Sequence, residues 1–161
     1  MKYLFFSIAS LLLFSCNKQK IGGIAISVDI DIAVKNSSGQ NLFVETTPNY
    51  IKKESIELIY LINGNKSTVY NPNLDCPRNV CDIQDIDGSN LVRVFPNTDH
   101  GDEYPITYIK WTDQDTDTLK CHFYRANEGN TVICDRVWLN GVSVYPENAV
   151  AGKSRGFTVI K

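Results

Sequence analysis

The run IAISVDIDIAV, residues 24–34, constrains the fold more than any other stretch of this chain. Ile24, Ile26, Val28, Ile30, Ile32 and Val34 fall on one side of an extended backbone, and Ala25, Ser27, Asp29, Asp31 and Ala33 on the other. Successive side chains of a strand point to opposite faces. Strict alternation is therefore the pattern of a half-buried strand and not of a helix, whose repeat is 3.6. Further extended segments follow at short intervals: Leu42 to Val44, Ile56 to Ile62, Thr68 to Tyr70, Leu91 to Phe95, Ile106 to Trp111, Thr118 to Tyr124, Thr131 to Leu139, Val142 to Tyr145 and Phe157 to Ile160. Asn63-Gly64 and Asn140-Gly141 supply the positive φ angles of tight hairpins. Asn71 to Gly88 reads as a turn-rich connection, and no segment carries a long helical repeat. The pattern predicts an all-β chain: an antiparallel β-sandwich of immunoglobulin-like architecture with eight or nine short strands, forming a single domain over residues 24–161.

The N-terminal segment does not belong to that domain. Lys2 precedes an apolar run from Leu4 to Phe14. The run is about half the length that a membrane-crossing helix needs, and it suits the core of a signal peptide. It ends Leu13-Phe14-Ser15-Cys16, which resembles the lipobox of bacterial lipoproteins. That resemblance implies a lipoprotein signal peptide over residues 1–15. Cleavage would make Cys16 the acylated N-terminus, carrying diacylglyceryl and palmitate-type chains, and residues 16–23 would form a lipidated tether. Two or more acyl chains anchor a protein stably where one does so only marginally. The lipobox followed by short strands, and the run LIYLINGNKSTVYNPNLD (58–75), are similar to small lipoproteins of the Bacteroidota. This likeness implies a compact β-sandwich anchored in the outer membrane of the cell envelope. Surface-exported members carry acidic residues just after the lipidated cysteine. Here Asn17-Lys18-Gln19-Lys20 follows, which leaves the periplasmic and the surface face both open.

Five cysteines are an odd number for an exported protein. Assigning Cys16 to lipid leaves Cys76, Cys81, Cys121 and Cys134, and an oxidising compartment favours disulfides among them. Their spacing is poor for zinc. If Arg125 pairs with Asn130 in a hairpin, Cys121 faces Cys134 across the ladder, within bonding range. Cys76 and Cys81 then close a small loop around Pro77. The rival arrangement has one bridge joining the two sheets.

A formal net charge of −2 gives no electrostatic footprint for nucleic acid. The chain has two histidines, His100 and His122, and none of the usual nucleophile, zinc-protease or phosphate-loop motifs, so it reads as non-catalytic. Asp113, Asp115 and Asp117 alternate as at the start of an EF-hand loop, but the glycine that should follow is missing and position twelve is Tyr124. A simple up-and-down strand order brings Asp82, Asp85 and Asp87 to the same end of the sandwich. Six crowded carboxylates would need a cation, which makes this group a candidate Ca²⁺ site. Tyr104, Tyr108, Trp111, Tyr124, Trp138 and Tyr145 lie in the C-terminal half, either as core residues or as an exposed face able to hold a sugar or a protein. The expected role is a lipid-anchored ligand- or protein-binding module, for glycan or protein. The alternative is an inhibitor or immunity-type envelope protein that blocks a hydrolase or toxin through a loop. An exposed aromatic stripe would favour the first and a rigid protruding loop, such as the Cys76–Cys81 turn, the second.

Overall fold

A computed structural model describes residues 23–84, 89–146 and 155–161. The signal segment, Cys16 and most of the tether lie outside the described residues, as do Asp85 and Asp87. Eleven strands form two sheets: β1 (Ala25–Ser27), β2 (Ile30–Lys35), β3 (Glu57–Ile62), β4 (Asn65–Thr68), β5 (Val80–Gln84), β6 (Asn90–Val94), β7 (Ile106–Lys110), β8 (Thr116–Ala126), β9 (Thr131–Leu139), β10 (Val142–Tyr145) and β11 (Gly156–Ile160). There is no α-helix among the described residues, only short 3₁₀ turns at Lys53–Ser55 and Asn127–Gly129. The all-β sandwich agrees with the sequence pattern, but the sheets are not purely antiparallel. The larger has seven strands, ordered β1-β9-β8-β7-β3-β4, with β10 sharing the β1 edge of β9. The smaller is ordered β11-β2-β6-β5. β1 runs parallel to β9, and β11 parallel to β2.

The run that reads as one strand is two. β1 belongs to the larger sheet and β2 to the smaller, so the chain changes sheet at Val28-Asp29. Ile30, Ile32 and Val34 are fully buried, whereas Ile24 and Ile26 are 77% and 66% exposed on the sheet edge. Arg155 clamps the crossing. Its guanidinium donates to the Asp29 carbonyl (3.0 Å), the Asp29 carboxylate (3.2 Å) and the Ser27 hydroxyl (2.7 Å). Arg93 forks onto both oxygens of Asp31 at 2.7 and 2.9 Å, and these hydrogen bonds raise its pKa against the opposing effect of burial. The polar side of the alternation is thus spent on arginines of the same sheet, a planar match that lysine would not make.

Other departures have local causes. Leu42 to Val44 is a turn, not a strand, with Leu42 and Phe43 turned into the core. Val80–Gln84, expected as loop, pairs with β6. Both Asn-Gly turns form as expected, with φ of 50° and 78° at Asn63-Gly64 and 50° and 83° at Asn140-Gly141. The core fills the space between the sheets. Leu58, Ile109, Leu119, Cys121 and Val137 come from the larger sheet, and Ile30, Ile32, Val34, Val92 and Val94 from the smaller. Trp111 is fully buried beside Phe43.

The cysteines divide differently from the expected hairpin staple. Cys76 and Cys81 are bonded, with Cα atoms 5.3 Å apart. Cys121 and Cys134 are both free thiols, buried in the core. The hairpin register is Arg125↔Val132, and β9 carries a bulge opposite the His122–Phe123 step. Cys134 therefore faces Phe123, and Cys121 faces Val137. The first of these pairs follows from the loop register, two residues from the expected Arg125↔Asn130; the bulge displaces only the partners beyond it, Cys121 among them. The two thiols remain neighbours: a hydrogen bond with Cys134, reinforced by burial, pushes the Cys121 thiol well above the ordinary thiol range.

Candidate functional site

Of the described carboxylates expected to gather around a cation, only Asp115 and Asp117 come together. Asp82 pairs with Lys53, and Asp113 with Lys110 at 2.8 Å. Asp117 is nearly buried and accepts hydrogen bonds from Trp111 Nε1 (2.7 Å), Asn140 Nδ2 (2.8 Å) and Lys161 Nζ (2.6 Å). Lys161 also reaches Asp115 at 2.8 Å. Burial alone would raise the Asp117 pKa, but the three donors and the lysine charge outweigh it, and the pKa is lowered. Lysine thus stands where the cation was expected, and no group of three or more acidic, histidine or cysteine residues suited to a metal occurs among the described residues.

The aromatic residues also divide. Trp111 belongs to the core, but Tyr104 and Tyr124 are exposed, and Tyr108, Trp138 and Tyr145 are half-buried. The alternation of β7 and β8 turns Thr107, Ile109, Leu119, Cys121 and Phe123 inward, which leaves Tyr108, Lys120, His122 and Tyr124 on the outer face of the larger sheet. Lys120 is opposite Trp138 in the ladder, and its ammonium lies over both the Trp138 and Tyr104 rings, 4.7 and 5.4 Å from their centroids. Tyr104 meets Trp138 edge-on at 5.8 Å and His122 at 5.5 Å. Further along the face Lys66 covers Tyr108 at 4.4 Å.

Tyr104 is next to last in the 96–105 loop, which lies against β8. The loop is secured at its root. Asn97, 2% exposed, is tied three ways: its N–H donates to the Thr107 hydroxyl (2.8 Å), its side-chain amide donates to the Leu61 carbonyl (3.0 Å), and its side-chain oxygen accepts from the Asp99 N–H (2.9 Å). At the far end the Cys121 N–H donates to the Pro105 carbonyl at 3.2 Å. Between loop and sheet is a cleft of ≈ 300 Å³ lined by His100, Asp102, Glu103, His122, Phe123 and Arg125. Both histidines of the chain, 22 positions apart in sequence numbering only because the loop and β7 intervene, therefore meet at one site. His122 Nδ1 is 2.5 Å from Asp135, and His100 Nε2 is 3.4 Å from Arg125.

Sequence reasoning singled out neither Arg125 nor the pairing of the histidines. Arg125 sits at an outer end of β8, and only the loop's fold brings His100 to it. No known protein family, curated protein or solved structure matches the chain. The cleft and the aromatic face are therefore interpreted from their own chemistry.

Proposed function

We propose that this is a lipid-anchored, non-catalytic protein of the bacterial cell envelope whose domain binds a glycan on the outer face of the seven-stranded sheet. One observation carries the reading: Tyr104 and Trp138 form a partly exposed aromatic cluster, continuous through His122 with a polar cleft on a well-anchored loop. Aromatic surface beside a few placed polar groups is the general make-up of a small-ligand site.

The chain's two tryptophans make the test direct. Trp111 is sealed in the core and Trp138 is on the proposed binding face. A glycan array should identify a ligand, and titrating it should shift the emission of the wild type but not of Trp138→Phe. An array without hits, or a shift that persists in Trp138→Phe, overturns the reading. Anchoring through Cys16 has its own check: Cys16→Ser should move the protein from the detergent phase to the aqueous phase on Triton X-114 partition.

The inhibitor or immunity-type reading has one observation in its favour. Tyr70 and Leu74 are 69% and 46% exposed on the segment that leads into the Cys76–Cys81 loop. Beside them is a hollow of ≈ 350 Å³ lined by Leu74, Asp75, Cys76, Asn79, Cys81 and Phe95. A hydrolase captured by the wild type and lost with Leu74→Asp, alongside a silent glycan array, would favour it.

A further inference from the structure

Several cations among the described residues are neutralised by carboxylates. Lys53, Arg93, Lys110, Arg155 and Lys161 each meet one or more carboxylates. Arg125 is different. It has no ion pair among the described residues, yet its guanidinium is held in place. One terminal nitrogen donates to the Thr98 carbonyl at 2.8 Å, the other is 3.4 Å from His100 Nε2, and the group lies over the Phe123 ring, 5.6 Å from its centroid. Guanidinium has five N–H donors in a planar fork and keeps its charge throughout the ordinary pH range. Fixing such a group at the wall of a cleft, with donors left over and no ion-pair partner among the described residues, prepares a seat for an anion. The fork matches a carboxylate in a bidentate geometry.

The other groups in the cleft narrow the choice. Asp102 and Glu103 line it too, so a ligand with several negative charges would be repelled. Carboxylates accept hydrogen bonds, and the hydroxyls of a sugar ring donate them. His122, turned by its Nδ1 toward Asp135, adds a further polar edge to the same wall, and Tyr104 carries the surface on to Trp138. A volume of ≈ 300 Å³ is at the lower end for ligand pockets and suits one residue of a longer chain.

We infer that the glycan is acidic: a uronic-acid-type saccharide, one carboxylate per ring, with the carboxylate on Arg125, hydroxyls toward Asp102 and Glu103, and the neighbouring sugar beside Tyr104 and Trp138. This rests on the glycan reading above and adds its substrate class.

The test compares a panel of uronic-acid oligosaccharides with their carboxyl-reduced counterparts, by calorimetry, against wild type, Arg125→Gln and Arg125→Lys, with melting temperatures confirming that each variant is folded. The wild type should bind at least one acidic member about tenfold more tightly than its reduced form, the value of one charge-assisted hydrogen bond. Arg125→Gln should bind both forms weakly and alike. Arg125→Lys, which keeps the charge and loses the fork, should recover only part of the preference. Equal wild-type binding of the acidic and reduced forms, or a preference unchanged in Arg125→Gln, overturns the acidic-sugar inference and leaves the glycan reading intact. Binding confined to the neutral forms does the same. No binding of either form across the panel, with a silent array, overturns both.

Discussion

Two clusters of charge sit on opposite terms with the rest of the molecule. Around Asp117 everything is matched: an indole N–H, an amide and an ammonium converge on one nearly buried carboxylate. Around Arg125 the group is positioned but unmatched, tied by a backbone carbonyl and a ring face with no carboxylate partner among the described residues. The first arrangement joins the β7–β8 turn of one sheet to Lys161 beyond β11 of the other. A satisfied network of that kind serves the fold, because each member would be costly to leave alone. The second leaves charge available to a ligand. Carboxylate spacing in the sequence had suggested the reverse, with the aspartates as the binding site.

The comparison breaks first if the two clusters respond alike to truncation. Asp117→Ala should cost about 3 kcal/mol in urea unfolding, since it strands a partly buried lysine, an indole N–H and an amide. Arg125→Gln should cost less than about 1 kcal/mol in the same assay. Similar losses for both would mean that Arg125 is structural.

Acid provides the second measure. The Asp117 carboxyl is held below its ordinary pKa of 3.8, so the unfolded chain takes up its proton first as pH falls. Its contribution is complete above the ordinary carboxylate range and is lost as pH drops through the lower folded-state value. The stability gap between wild type and Asp117→Asn should therefore narrow between about pH 6 and pH 2. A constant gap would show that the ion pair with Lys161 is not what the carboxylate supplies.

Third, Trp138→Ala should weaken glycan binding roughly tenfold or more while barely moving the melting temperature, as a partly exposed anchor residue does. A large stability loss with affinity intact would return the outer face to a purely structural role. The smallest effect belongs to the exposed acid. Asp113→Ala should leave the urea midpoint unchanged, because the side chain is 84% exposed and its pair with Lys110 is screened by water. Likewise the melting temperature should be the same in EGTA and in millimolar Ca²⁺. A rise with Ca²⁺ would mean that the cation displaces Lys161 from Asp115 and Asp117.

Much of the strand pattern was legible because a strand's signal is local. The alternation through β7, β8 and β9, and the two Asn-Gly turns, are properties of adjacent residues. β5 was not: Val80–Gln84 is short, follows a proline-containing loop, and becomes a strand only by pairing with β6. The disulfide loop was legible for the same reason that the hairpin staple was not. Cys76 and Cys81 are five positions apart, so proximity is nearly given. Cys121 and Cys134 depend on hairpin register, and a ladder that starts at Arg125↔Val132 instead of Arg125↔Asn130 already sets Cys134 opposite Phe123, before the bulge in β9 moves Cys121 one residue further.

By itself the sequence determined that the domain is built of half-buried strands, since period-two hydrophobicity is their local signature, and where its tightest turns lie. Tertiary structure alone decided that residues 24–34 divide between two sheets, that lysine rather than a metal neutralises Asp115 and Asp117, and that His100 and His122 share a cleft with Arg125. Each of these depends on partners distant in the chain. Alternation says that a side chain faces inward or outward, but not which sheet it joins or which charge it meets there.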